Sequence, residues 1–118
     1  MVTIRGATTI DRDNAEEMLS GTTELLRNII HANKLELENI IAIFFTCTQD
    51  ITSAYPAKAA RDMGITHASL MCMQEMHVAH SLGKCIRVCI FYEGELSKES
   101  IKHIYLRNAL SLRPDLTK

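Results

Sequence analysis

One stretch of this chain repeats its apolar residues at helical spacing through several turns, whereas five others read as strands, and that ratio is the strongest constraint on the fold. Met18, Leu19, Thr22, Leu25, Leu26, Ile29 and Ile30 form a single broad apolar stripe. Asp13 followed by Glu16 reads as a capping box at its start, and Asn33 as its stop. Gly21 weakens such a helix by about 1 kcal/mol relative to Ala and so marks close packing.

The strand-like stretches differ in kind. Val2 to Thr9 alternates, with Val2, Ile4 and Gly6 on one face and Thr3, Arg5 and Ala7 on the other. Ile40 to Thr46 is a continuous β-branched and aromatic run, as a buried strand requires. Asp50 to Ala54 is polar and reads as loop. Pro56 then opens a short helix, Ala57 to Met63, which Gly64 ends. A third strand is expected over Ser69 to Met73. In Cys85 to Tyr92, Ile86, Val88, Ile90 and Tyr92 face one way and Cys85, Arg87, Cys89 and Phe91 the other. After the Glu93-Gly94 turn and a helical turn at Ser97 to Ser100, a last strand places His103, Tyr105 and Arg107 on one face, with Ile104 and Leu106 opposite.

Five strands with one long and one short helix predict an α+β domain built on a mixed sheet, residues 1–118 forming a single domain. Two helices cannot cover both faces of such a sheet. The face carrying Cys85, Cys89 and Phe91 is too apolar to be left in water, so a homo-oligomer is expected.

Composition narrows the function. Charged residues make up 23% and the net charge is -1, which argues against a basic nucleic-acid-binding face. Trp is absent, removing the usual stacking platform for bases. The longest apolar run, Ile40 to Phe45, is far short of the roughly 20 residues a membrane span needs. The first residues carry no apolar signal region, so a cytoplasmic location is expected, with Cys47, Cys72, Cys85 and Cys89 as free thiols.

Arg87 is the most informative residue. A guanidinium between Ile86 and Val88, flanked on its own face by two cysteines, must find an anion or a set of carbonyls. That anion is either a structural carboxylate or a ligand. Arg5, also on a strand, repeats the pattern and points weakly to a small dianion. Cys72, His77, His80 and Cys85 could make a zinc set, but none of the common paired-cysteine spacings is present, so no metal is expected. No catalytic triad, phosphate loop or dinucleotide fingerprint occurs. These parts would bind, orient and stabilise charge, with little covalent chemistry.

Five segments then occur in order: Arg5-Gly-Ala-Thr-Thr, Tyr55-Pro-Ala-Lys-Ala-Ala-Arg61, Cys72-Met-Gln-Glu-Met76, Cys85-Ile-Arg-Val88 and Leu112-Arg-Pro-Asp-Leu116. Together they resemble the monofunctional AroH-type chorismate mutases over essentially the whole chain. The resemblance implies a pseudo-α/β-barrel homotrimer with active sites between subunits. It also implies the cofactor-free [3,3] rearrangement of chorismate to prephenate, on the route to phenylalanine and tyrosine.

By the same resemblance Arg87 faces the ether oxygen as it gains charge, Arg5 binds a substrate carboxylate with help from Tyr105, and Glu75 accepts from the ring hydroxyl beside Cys72. Met71, Met73 and Gln74 line the pocket, while Tyr55, Ala57, Lys58 and Arg61 come from the adjoining subunit. Arg113 and the tail close the mouth. The family carries Phe where this chain has Tyr55, and Thr where it has Met71. Two other readings remain beside it. A trimeric imine deaminase would need a glutamate-held water and signature segments missing here, and a non-catalytic carboxylate-binding module would need Arg87 paired off structurally.

Overall fold

The computed structural model describes residues 1–116. Its elements run β1 (Val2–Thr9), α1 (Ala15–Asn33), β2 (Ile40–Cys47), α2 (Pro56–Asp62), β3 (Ser69–Gln74), β4 (Cys85–Tyr92) and β5 (Ile104–Tyr105), with short 3-10 turns between and after them. The five strands form one sheet in the order β3-β2-β4-β1-β5. β4 pairs antiparallel with both β1 and β2, whereas β2–β3 and β1–β5 are parallel. The α+β architecture and mixed sheet read from the sequence are those of the structure.

The helix α1 begins one residue later than expected. Asn14, not Asp13, is the cap: its side chain accepts the Glu17 amide at 2.8 Å, and Glu17, not Glu16, reaches back to the Asp11 and Arg12 amides at 3.1 Å each. The Asn14 half is that of a capping box, but Glu17 reaches past the cap to the two amides before Asp13, while the Asn14 amide donates to the Arg12 carbonyl. Asp13 instead accepts from the Thr52 amide and hydroxyl, both at 2.9 Å, and from the Ser53 amide at 3.1 Å, tying down the loop between β2 and α2. The helix ends at Asn33, with Lys34 turning out at φ 52°. The Asn33 amide also donates to the Ile29 and Lys102 carbonyls and accepts from the Lys102 amide, so the helix end straps down the segment leading into β5.

The helices cover one face of the sheet. Leu25, Leu26 and Ile29 of α1 pack on Ile4, Ile43, Phe45 and Ile90, and Ala57 and Ala60 of α2 complete this core. Gly6, on the same face, lets α1 approach: a Cβ there would stand 2.8 Å from both the Ile104 carbonyl and Ile29 Cδ1. Gly64 closes α2 at φ +95°, a conformation favouring glycine.

The last strand is shorter than its alternation suggests. The β1–β5 ladder holds only Gly6 with Ile104 and Ala7 with Tyr105. Arg107 then turns left-handed at φ 53° and donates to Glu24 through Nε at 3.3 Å and Nη2 at 3.2 Å, starting a 3-10 turn over Arg107–Leu112. A bidentate ion pair to α1 thus takes Arg107 off the strand face on which alternation alone put it. The turn brings Ala109 down on Ala7, Cys85 and Tyr105 as a small second cluster. Cys85 is therefore covered by its own chain, not left on an open face. The rest of that face is open: Phe44, Met71 and Met73 are exposed, and Phe44 meets Phe91 at 5.1 Å between ring centroids.

Candidate active site

Sheet register assembles the site on this second face. Because successive strand residues alternate sides, residues directly opposite one another across strands form a row. One row crosses all five strands: Met73 on β3, Thr46 on β2, Arg87 on β4, Ala7 on β1 and Tyr105 on β5. The next row carries Met71, Phe44, Cys89 and Arg5. Arg5 is thus a diagonal neighbour of Arg87, about 7–8 Å away at the backbone. Ala7, between Arg87 and Tyr105 in the row, is fully buried under the cluster that Ala109 completes.

At the centre of the row, Arg87 Nε lies 3.1 Å from Glu75 Oε2, both side chains being partly buried. The contact is ionic but badly aligned: Nε has no partner of proper hydrogen-bond geometry. Thr46 donates its hydroxyl to the other carboxylate oxygen, Glu75 Oε1, at 2.7 Å. The Glu75 backbone is held too, its amide donating to the Cys47 carbonyl at 2.8 Å. Arg87 therefore has a carboxylate beside it, but one that does not enclose the guanidinium.

A second hollow, about 530 Å³, opens where β1 and β5 begin, with Arg5, Phe91, His103 and Arg113 on its walls. Arg113 lies over the Tyr105 ring, 6.0 Å from its centroid, and pairs with Asp115 at 2.9 Å, which holds its guanidinium more firmly charged than usual. The Arg5 amide donates to His103 Nδ1 at 2.9 Å, so the imidazole extends the β1–β5 pairing by one bond. Burial, then the charges of Arg113 and Arg5, hold His103 below its ordinary value of 6.5.

The linkage has a definite sign. A group whose folded value is depressed releases its proton more readily folded than unfolded, so stability rises with pH. The His103 contribution is fully present above about 6.5 and is lost as pH falls through the lower folded value. Urea midpoints measured from pH 8 down to pH 5 should fall in this window, and His103→Gln should flatten the slope. An unchanged slope in the variant would place the effect elsewhere.

A groove of about 500 Å³ lies beyond β3, between it and the loop that Asp13 ties down. Tyr55, largely exposed, stands at its rim, and Cys47, Cys72, Met73 and Gln74 line it. Cys72 does not share the face of Arg87: it pairs with Phe45 and packs against the helix-side core. In the same groove, burial with Cys72 and Cys85 nearby pushes the Cys47 thiol up to about 12, so it stays protonated. Ala57 is buried in α2, Lys58 pairs with Asp62 at 2.9 Å, and Arg61 is exposed on the same helix.

The fold thus places Arg87 and Tyr105 in one row, sets Glu75 against Arg87 from just beyond β3, and puts Arg5 and Arg113 nearby. It leaves Tyr55, Cys72, Gln74, Lys58 and Arg61 around or beyond a separate groove. Cys72, His77, His80 and Cys85 do not converge, and among the described residues no three His, Cys, Asp or Glu side chains gather as a metal site would require. No helix among these residues is long and apolar enough to cross a membrane. Thr46 and His103 are the site residues that sequence patterning did not single out for a role. The only signal for Thr46 is a hydroxyl two positions from Phe44 in an otherwise apolar strand.

Comparison with known proteins gives this geometry a context. The family model for chorismate mutase type I matches residues 1–116. The chorismate mutase AroH of Bacillus subtilis (strain 168) is 41% identical over 115 residues, covering 97% of this chain and 91% of that protein. The AroH of Thermus thermophilus is 40% identical over 114 residues, covering 96% and 93%. Among solved structures, a chorismate mutase from Clostridium thermocellum superposes with a TM-score of 0.92 at 45% identity, covering 94% of this chain and 99% of that one.

Proposed function

The chain belongs to the family of type I chorismate mutases, which are isomerases; from that premise we propose that it rearranges chorismate to prephenate using Arg87 as the principal source of transition-state stabilisation. The observation that carries the proposal is a guanidinium held mid-strand on the open face of the sheet with a single, poorly aligned carboxylate partner. A purely structural arginine would settle into a forked pair, which is the stronger arrangement. This one keeps donor capacity for a ligand.

The rearrangement needs no proton transfer. One ether C–O bond breaks while one C–C bond forms, all within the substrate. Breaking runs ahead of forming, so negative charge collects on the ether oxygen and positive charge on the ring. A fixed cation beside that oxygen binds the transition state more strongly than chorismate, and only such a difference raises kcat. Arg5 and Arg113 supply cations for the two carboxylates, with the Tyr105 hydroxyl beside them. Glu75 balances Arg87 and accepts from the ring hydroxyl. Holding the flexible dianion in its reactive shape adds an orientation contribution.

Met71, Cys72, Met73 and Gln74 belong to the same segment as Glu75 and line the pocket from this chain, while Tyr55, Ala57, Lys58 and Arg61 complete it from a neighbouring copy. The active form is then a homotrimer of single 118-residue domains with sites between subunits, acting in the cytoplasm on the route to phenylalanine and tyrosine. The exposed apolar face carrying Phe44, Met71 and Met73 supports association, since an apolar patch of this kind is rarely left in water.

The test is loss of chorismate absorbance by purified protein in excess chelator, prephenate being confirmed by acid conversion to phenylpyruvate, with the mass of the same sample read by sedimentation. Rapid turnover by a trimer without added metal is expected. A folded protein that leaves chorismate unchanged would instead favour a carboxylate-binding module.

A further inference from the structure

We propose that Thr46 is a positioning residue for the rearrangement, acting through Glu75; this rests on the reading of Arg87 and Glu75 given above. A threonine in a central strand is ordinarily explained by β propensity alone. Here its hydroxyl has a specific partner, donating to Glu75 Oε1 at 2.7 Å in a partly buried setting. Thr46 also stands directly opposite Arg87 in the β2–β4 ladder, so one residue borders both members of the ion pair.

Glu75 lies one position beyond β3, where a long side chain would otherwise swing freely. It has three anchors: the Cys47 carbonyl for its amide, the Thr46 hydroxyl for Oε1 and Arg87 Nε for Oε2. The hydroxyl decides how the last of these is made. A carboxylate with both oxygens available turns to meet guanidinium as a fork, occupying two nitrogens in good alignment. With Oε1 engaged by Thr46, only Oε2 faces Arg87, and it meets Nε off axis. Thr46 thereby keeps Glu75 from capturing the terminal nitrogens that must face the substrate oxygen. Its effect falls on kcat more than on KM, because the interaction it protects strengthens in the transition state.

A double-mutant cycle tests this. Thr46→Val keeps the branched shape and removes the donor. It should lower kcat roughly tenfold, the scale of a hydrogen bond to a charged group, with KM changing less than about threefold. Thr46→Ser should restore kcat to within about threefold of the parent, since the hydroxyl is what matters. In a Glu75→Ala background, Thr46→Val should change kcat by less than about twofold, because the group it acts on is gone. Thermal melts on each variant separate loss of folded protein from loss of rate, and Thr46→Ala serves if Val does not fold. An equal loss in both backgrounds, or a Ser variant as poor as Val, would overturn the role of Thr46 while leaving Arg87 and Glu75 in place. Full turnover by Glu75→Ala alone would overturn the reading of Glu75, and that of Thr46 with it.

Discussion

Replacing Arg87 by citrulline should lower kcat roughly a thousandfold, about 4 kcal/mol of barrier, while the fold and assembly persist. Citrulline keeps the length and planarity of arginine and exchanges a charged nitrogen for a neutral oxygen. The loss therefore reports charge and not shape. Arg87→Lys tests the complementary point: it returns the charge as a compact ammonium without the planar set of donors, and it should recover little. Neither change is expected to unfold the protein. The side chain is partly exposed, and removing its charge leaves Glu75 with the Thr46 hydroxyl and access to water. Steady-state kinetics with a far-ultraviolet spectrum on the same sample decide the matter. Citrulline turnover within tenfold of the parent would transfer the main stabilisation to Arg5, Arg113 and substrate positioning.

Gly6→Val should be the most damaging single change to stability at a residue that touches no substrate. The new Cβ meets the Ile104 carbonyl at 2.8 Å, Ile29 Cδ1 at 2.8 Å and Leu25 Cδ1 at 3.2 Å. Ile29 and Leu25 are both fully buried, so neither has room to withdraw. The carbonyl belongs to the strand partner of Gly6, and it can move only if the two-residue β5 ladder opens. Overpacking of this kind costs about 3 kcal/mol, which lowers Tm by roughly 12 °C for a chain of this size. Tyr105 should move with the ladder, so activity at permissive temperature should fall as well. Melts at one fixed protein concentration are required, because association shifts Tm by mass action. A drop of only a degree or two would mean that α1 slides outward without strain.

How far the sequence announces this fold depends on what each residue answers to. β4 was legible because its pattern is dictated by a single condition, a core on one side: Ile86, Val88, Ile90 and Tyr92 are all buried. The strand bounds of β1 and β4 follow from the same alternation. The start of α1 is ambiguous by one residue in the sequence because Asp13 and Asn14 are both good caps, and the structure uses Asn14. What separates them is Thr52, some 40 positions away, which engages Asp13. Arg107 continues a perfect alternation and nevertheless leaves the strand, since the ion pair with Glu24 is set by where α1 lies. Cys72 sits in a recognisable segment beside Glu75, yet strand parity sends its side chain to the other face.

The candidate site shows the same division. Arg87 stands out in sequence because a charge in an apolar strand is anomalous wherever the strand goes. Thr46 is unremarkable in sequence because hydroxyls are common in strands, and only the β2–β3 and β2–β4 registers give it Glu75 and Arg87 as neighbours. Asp13, Asn33 and His103 each bond across long stretches of chain, and none has a local signature of doing so. Local pattern reveals faces; pairing between distant segments reveals partners.

The β2–β4 ladder carries one irregularity, between Ile40 and Ala42, at the end of the sheet away from Arg87. Bulges absorb a residue without passing the shift along the strand. Changes of chain length among descendants of this protein are therefore tolerated ahead of Ala42, where the bulge can take them up. Between Ala42 and Cys47 the same insertion would reverse parity, setting Phe45 opposite Arg87 and turning Thr46 into the core. The row that carries Arg87 and Thr46 is thus protected from slippage by an elastic joint at its remote end, and lineages can lengthen or shorten the approach to β2 without rewriting the candidate site.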